Sequence, residues 1–248
     1  MKKDEIMKKD RNMKRIVVPA ILALALVSCT NKELEPVREN EKPEPVISDG
    51  SACIKAVLSE ELATRTAFEG GSTTKVVWVD GDAINVNGVN SSDISIDGSD
   101  ASQASFTVFG VSSPYVALYP AAVYTSDYTA AVGDVPATMT ITLPSTQNYM
   151  DGCFAPESAV LMGKGGSSIS FTHAMAYIKI IVSGGSTGTD IKKIRLLAGD
   201  GTPLSGTFTA SFGDVPSIGS GTDTYSSVTL DCGAGVSQGT PMYIAVPP

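Results

Sequence analysis

Ser105-Phe106-Thr107-Val108-Phe109 and Thr138-Met139-Thr140-Ile141-Thr142-Leu143 alternate polar and apolar residues without a break. Successive side chains of a β-strand point to opposite faces, so a period of two describes a strand with one buried face. Shorter runs with the same signature spread outward in both directions, and they predict strands at 53–58, 94–96, 115–119, 159–162 and 169–171. The series continues at 191–197, 204–212, 228–232 and 242–246. Lys75-Val76-Val77-Trp78-Val79 and Ala83-Ile84-Asn85-Val86-Asn87 flank Asp80-Gly81-Asp82, a pair of strands about an Asp-Gly turn that tolerates positive φ. Tyr177-Ile178-Lys179-Ile180-Ile181-Val182, within a strand expected at 176–182, is almost continuously apolar, as a central strand would be. Only 121–133 has the makings of a short helix. Many short strands at near-regular spacing, in a chain with 24 Gly and 14 Pro, predict an all-β sandwich. No repeat of 20–50 residues is visible.

The N-terminus sets the compartment. Seven lysines and arginines between Lys2 and Arg15 precede an apolar run at 16–27. That run is too short for a bilayer, which needs about 20 residues, but it suits a secretory signal. It ends in Leu26-Val27-Ser28-Cys29, a lipobox in which a small residue precedes a cysteine that becomes the acylated N-terminus. Residues 1–28 therefore read as a lipoprotein signal peptide, with Met7 and Met13 as alternative starts, and Cys29 as the lipidation site. More than one acyl chain makes such an anchor stable, so the mature chain is anchored to a membrane and does not span it. Residues 29–50 are polar, acidic and proline-rich, a tether that cannot bury a core. Of 18 basic and 26 acidic residues, seven and three fall in 1–28, which leaves a net charge of −12 on the remainder. That charge argues against nucleic acid and against anionic lipid as partners.

Little in the remainder suggests catalysis. Cys53, Cys153 and Cys232 are an odd set at irregular spacing, expected as buried small hydrophobes with at most one bridge. His173 is the only histidine, so any Ser-His-Asp or Cys-His arrangement must use it, and no G-x-S-x-G elbow accompanies it. Asp80, Asp82, Asp97, Asp100, Asp200 and Asp214 sit beside Gly or Ser, where turn formation accounts for them. Asp80-Gly81-Asp82 with Asn85 and Asn87-Gly88 is superficially like a calcium loop but lacks its spacing and terminal Glu. Gly163-Lys164-Gly165-Gly166-Ser167 lacks the P-loop pattern and reads as a hairpin loop. Trp78, Tyr115, Tyr119 and Tyr128 would serve either a core or a sugar-stacking platform, with Trp78 expected in the core. A non-enzymatic protein without cofactor or metal is expected.

Several motifs occur in an order that resembles the fimbrillin-like lipoproteins of Bacteroidota, the subunits of type V pili. They begin with Lys32-Glu33-Leu34-Glu35 behind the lipobox, similar to an acidic export signal. Thr64-Arg65-Thr66-Ala67-Phe68, Val77-Trp78 with Gly81-Asp82-Ala83-Ile84, and Tyr115-Val116-Ala117-Leu118-Tyr119-Pro120 follow. The order closes with 171–180, Leu204-Ser205-Gly206-Thr207-Phe208 and Tyr243-Ile244-Ala245-Val246-Pro247-Pro248.

The resemblance implies a two-domain, transthyretin-like β-sandwich protein, of which 66–248 would be the N-terminal domain and the C-terminal domain would be absent. It implies an outer-membrane, surface-exposed lipoprotein that passes into a fimbrium. An arginine-specific protease would cut after Arg65, making Thr66 the new N-terminus. Residues 51–65 would be a removable propeptide strand, with Cys53, Ile54, Val57 and Leu58 covering the sheet as an edge strand. Another pilus subunit's strand would then fill the groove, with a host or bacterial surface ligand as a further partner. The family carries its donor strand at the C-terminus, and a chain ending at Pro248 would lack it. The competing expectations are a surface glycan-binding lipoprotein and, last, a β-sandwich hydrolase.

Overall fold

The computed structural model describes residues 50–58, 77–185 and 188–248. The chain divides into Met1–Lys42 and Pro43–Pro248, and every described residue belongs to the second unit. Its strands are β1 Ser51–Leu58, β2 Asn85–Val86, β3 Val89–Asn90, β4 Asp93–Ile96, β5 Gln103–Phe109, β6 Tyr115–Tyr119, β7 Tyr124–Thr129, β8 Thr138–Leu143 and β9 Thr146–Asn148. They continue as β10 Leu161–Gly165, β11 Ser168–His173, β12 Ala176–Ile181, β13 Asp190–Leu197, β14 Ser205–Ser211, β15 Ser217–Tyr225, β16 Ser227–Ser237 and β17 Pro241–Val246. The fold is all-β and sandwich-like.

Eight strands form one sheet in the order β3-β2-β6-β10-β11-β1-β5-β4. Its two outermost strands are consecutive in sequence, joined only by Ser91 and Ser92, and the Ser92 amide donates to the Thr107 carbonyl of β5. The sheet is therefore rolled upon itself. Inside the roll lie Ile54, Trp78, Ile84, Phe106, Val108, Ile169 and Phe171. Trp78 is 3% exposed and meets Phe106, Tyr119 and Phe171 edge-on at 5.1–5.6 Å, the geometry that ring quadrupoles favour.

β6 and β10 bury both faces. Ala117, Tyr119 and Leu161 point into the roll, while Val116, Leu118 and Met162 pack outward. That outer face lies on a four-stranded sheet, β15-β14-β8-β7, through Met139, Ile141, Leu143, Phe208 and Ala210. The alternation in β5 and β8 thus resolves into two different cores, Phe106 in the first and Ile141 in the second.

A third core sits between the β12-β17 pair and the sheet β13-β16-β9, around Val228, Leu230, Met242 and Ile244. Gln147 of β9 joins these two sheets. Its side-chain amide donates to the Ala245 carbonyl at 2.6 Å and its oxygen accepts the Ala245 amide at 2.9 Å, as a strand neighbour's backbone would.

Several expectations are corrected. The Asp-Gly turn forms, with Gly81 at φ 88° and the Asp82 amide donating to the Val79 carbonyl, but residues 77–79 are not a strand and β2 is only two residues long. Trp78 is drawn down into the rolled core, and its amide bonds to Ala101 outside any ladder. Lys75 and Val76 lie outside the described residues. The region 121–133 holds a single 3-10 turn, Ala121–Val123, and then strand β7, because its backbone pairs with β8. The run at 177–182 is not central. Among the described residues β12 has one ladder neighbour, β17, and Ile181 is 53% exposed.

Candidate functional site

β1 occupies an unusual place for the first described strand. It pairs antiparallel with β5 from Ser51 to Val57 and parallel with β11 from Lys55 to Leu58. The expectation of an edge strand is corrected: β1 is interior, with a ladder on each side. Its partners are far along the chain, Val57 opposite Gln103 and Leu58 opposite Phe171, so no hairpin ties it to either neighbour.

Period-two alternation decides what each side chain does. Ile54, Ala56 and Leu58 point into the rolled core and are buried, whereas Cys53 and Lys55 face solvent and Val57 is half-buried. Burial of a large aliphatic side chain contributes roughly 1.5–3 kcal/mol, so Ile54 and Leu58 supply much of what holds the strand. Cys53 is consequently not the buried small hydrophobe expected. Cys232 is, with its thiol 3.8 Å from the Met242 sulfur, and Cys153 is half-buried. Arg65, Thr66 and Cys29 lie outside the described residues.

The other sequence candidates have structural partners. The His173 Nδ1 is 2.8 Å from the Tyr177 hydroxyl, and Phe154 stacks on Tyr177 at 4.2 Å, which makes an aromatic cluster. Burial holds the Tyr177 hydroxyl well above its ordinary pKa. Asp82 accepts from the Val79 amide with one oxygen and from the Tyr119 hydroxyl with the other. Asp97 accepts from the Ser99 hydroxyl and amide, which lowers its pKa, and Asp200 is lowered in the same way by Thr202. Asp214 forms an ion pair with Lys164 at 3.0 Å. Gly166 and Ser167 close the β10–β11 hairpin, as the sequence predicts.

The asparagines of the calcium-loop likeness act as backbone pins. Asn87 and Gly88 take φ 49° and 87° in the turn between β2 and β3. The Asn87 oxygen accepts the Val116 amide, and its nitrogen donates to the Ser112 and Pro114 carbonyls. Asn-Gly is itself a strong hairpin signal, and it was the cue available for β2 and β3. Among the described residues no cluster of three His, Cys, Asp or Glu is arranged for a metal, and no helix is long and apolar enough to cross a membrane.

Two clefts open where the β5–β6, β7–β8 and β14–β15 loops converge. One of about 830 Å³ is lined by Tyr115, Pro136, Lys164 and Phe212, and one of about 320 Å³ by Asn87, Val111 and Tyr128. Trp78 and Tyr119 are buried, so of the four aromatic residues considered for a sugar platform only Tyr115 and Tyr128 line an accessible surface.

The fold and site define a class: a layered all-β protein whose first described strand is inserted into a rolled sheet without a hairpin. No family model and no curated protein matches the sequence. Among solved structures the chain is similar to a candidate cell adhesion protein from Bacteroides uniformis ATCC 8492. The identity is 15%, the TM-score 0.36, and the overlap covers 81% of this chain and 76% of that one.

Proposed function

We propose that the chain is a structural subunit, or a tip or anchor component, of a cell-surface pilus, assembled by protease-triggered strand exchange and without enzymatic activity. In this reading Cys29 carries the lipid anchor at the outer-membrane surface. Cleavage after Arg65 severs the segment that holds β1, and a neighbouring subunit's strand takes its place.

The observation that carries the reading is the setting of β1. An interior strand with Ile54, Ala56 and Leu58 in the core is strongly held, yet covalent continuity reaches it only through its own ends. Once it is gone, β5 and β11 each lose a ladder and the core beneath loses its cover. Exposed ladder groups of this kind are filled by strand addition, with main-chain bonds for affinity and alternate side chains for specificity.

The test is treatment of the lipidated chain with an arginine-specific protease. A product beginning at Thr66 that forms SDS-resistant oligomers with a full-length partner is expected. A cut elsewhere, or a Thr66 product that stays monomeric with that partner, would overturn the reading. A second reading, a glycan-binding surface lipoprotein, rests on Tyr115 and Tyr128 at the loop clefts. Saturable binding on a glycan array, lost in Tyr115→Ala, would favour it.

A further inference from the structure

Among the described residues there are six lysines and arginines, and four of them, Lys179, Lys192, Lys193 and Arg195, lie on β12 and β13. These two strands border the same third core from opposite sheets, and among the described residues each has a ladder on one side only. Along β13 the alternation is clear. Ile191, Ile194 and Leu196 are half-buried against the core, while Lys193, Arg195 and Leu197 face outward, with a register shift at Lys192. Leu197 is 61% exposed.

Lysine on a bare edge is a known guard against aggregation. That account fails to explain its distribution here. The edge strands β4, β7 and β15 contain no lysine or arginine at all and are made of Ser, Thr, Asp and Gly among their apolar residues. Besides Lys55 on β1 and Lys164 on β10, the described cationic side chains gather at the mouth of the third core, beside Asp190 and Asp231, in a chain of net charge −8. Such a mouth repels a like edge from a second copy and attracts a strand of opposite sign.

We propose that the open edge of β13 is a docking site for an extended acidic segment of another polypeptide, added as a strand. Its inward residues would be apolar, packing on Ile194 and Leu196. Its outward residues would be glutamate or aspartate, set opposite Lys193 and Arg195 at the cross-strand spacing of roughly 4.5–5.5 Å. The partner is thus specified by pattern, acidic and apolar residues in strict alternation. Lys193 pairs with Asp231 at 3.1 Å and Arg195 reaches the Ser227 hydroxyl, both across the ladder on β16, so both heads stand on the outer face and would swing from β16 toward an incoming acidic strand. The site does not involve β1 or Arg65, and the uncleaved chain suffices to test it.

The experiment adds an eight-residue peptide alternating glutamate and valine to the full 248-residue chain, with a lysine–valine peptide and a glutamate–serine peptide as controls. Fluorescence anisotropy gives affinity, and amide hydrogen exchange locates the contact. The glutamate–valine peptide should bind on the order of tenfold more tightly than either control and slow exchange along β13. Lys193→Glu with Arg195→Glu should reverse the preference toward the lysine–valine peptide, a readout that a folding defect does not produce. Equal binding of all three peptides, no binding by any, or protection away from β13 would overturn the proposal. So would β13 amides already protected by self-association of the chain.

Discussion

Single side chains in this protein do work that elsewhere falls to whole strands. Gln147 closes the ladder of β17 with two hydrogen bonds from one amide, both buried. Truncating it to Ala leaves the Ala245 N–H and C=O without partners in the core, and each orphaned group costs about 1–3 kcal/mol. Gln147→Ala should therefore lower the urea unfolding free energy by about 2–5 kcal/mol, and a loss below 1 kcal/mol would mean that water replaces the amide. Tyr119 makes a different kind of prediction. Burial first, and then the charge and hydrogen bond of Asp82, raise its pKa above the ordinary value of 10.0. The folded state thus keeps a proton that the unfolded state releases. Stability is intact below pH about 10 and is lost as pH rises beyond it toward the folded value. Urea midpoints measured from pH 8 to 11 should fall more steeply for the native chain than for Tyr119→Phe. Parallel slopes would remove Tyr119 from the account.

Elements were legible in sequence to the degree that one face of each is buried. β5, β6, β8, β14 and β17 carry regular apolar spacing because each lies on a core, and their expected positions agree with the structure within about two residues. β15, Ser217-Ile218-Gly219-Ser220-Gly221-Thr222-Asp223-Thr224-Tyr225, has almost no apolar face and is held as an edge by β14, so nothing in its own pattern announced it. β9 hides for another reason, since its one buried residue is the polar Gln147. β12 misled in the opposite sense: its apolar run implied burial on both faces, but Ile178, Ile180 and Val182 pack on the third core and Tyr177 on the second, while Ile181 is exposed. The interior position of β1 was equally beyond reach, because alternation reports faces and not neighbours. Strand pairing also constrains residues that look incidental. A Cβ added at Gly163 of β10 would fall 2.5 Å from the Ser170 carbonyl oxygen of β11, and backbone cannot yield cheaply. Gly163→Ala should cost about 1–3 kcal/mol by forcing β10 and β11 apart. The same change at Gly166, where nothing lies within 4 Å, should be nearly neutral, and equal effects on the thermal midpoint would refute the strand-spacing argument.

At the scale of the whole molecule, the question is what happens to β1 when the chain behind it is cut. Before cleavage β1 is part of the same polypeptide, and short linkers hold such a segment at an effective concentration in the millimolar range. In the proposed reading, cleavage after Arg65 would leave every ladder bond and the burial of Ile54, Ala56 and Leu58 in place. What would change is the standard state: departure of β1 would become dilution into bulk, where a neighbouring subunit's strand, if the proposal holds, would compete for the vacated ladder. On this proposal exchange would require no new contact better than the old one. On the proposed function, free β1 would compete with assembly. A synthetic peptide of residues 51–58, added to Thr66-start protein with a full-length partner, should slow the formation of SDS-resistant oligomers in proportion to its concentration. It should also raise the thermal midpoint of the cleaved chain, as any ligand of the folded state does. A peptide with Ile54→Asp and Ala56→Asp keeps the backbone but places charge in the core, and it should do neither. Oligomers that form at the same rate whatever the peptide, or an uncleaved chain that assembles as fast as the cut one, would show that the vacancy left by β1 is not where subunits join.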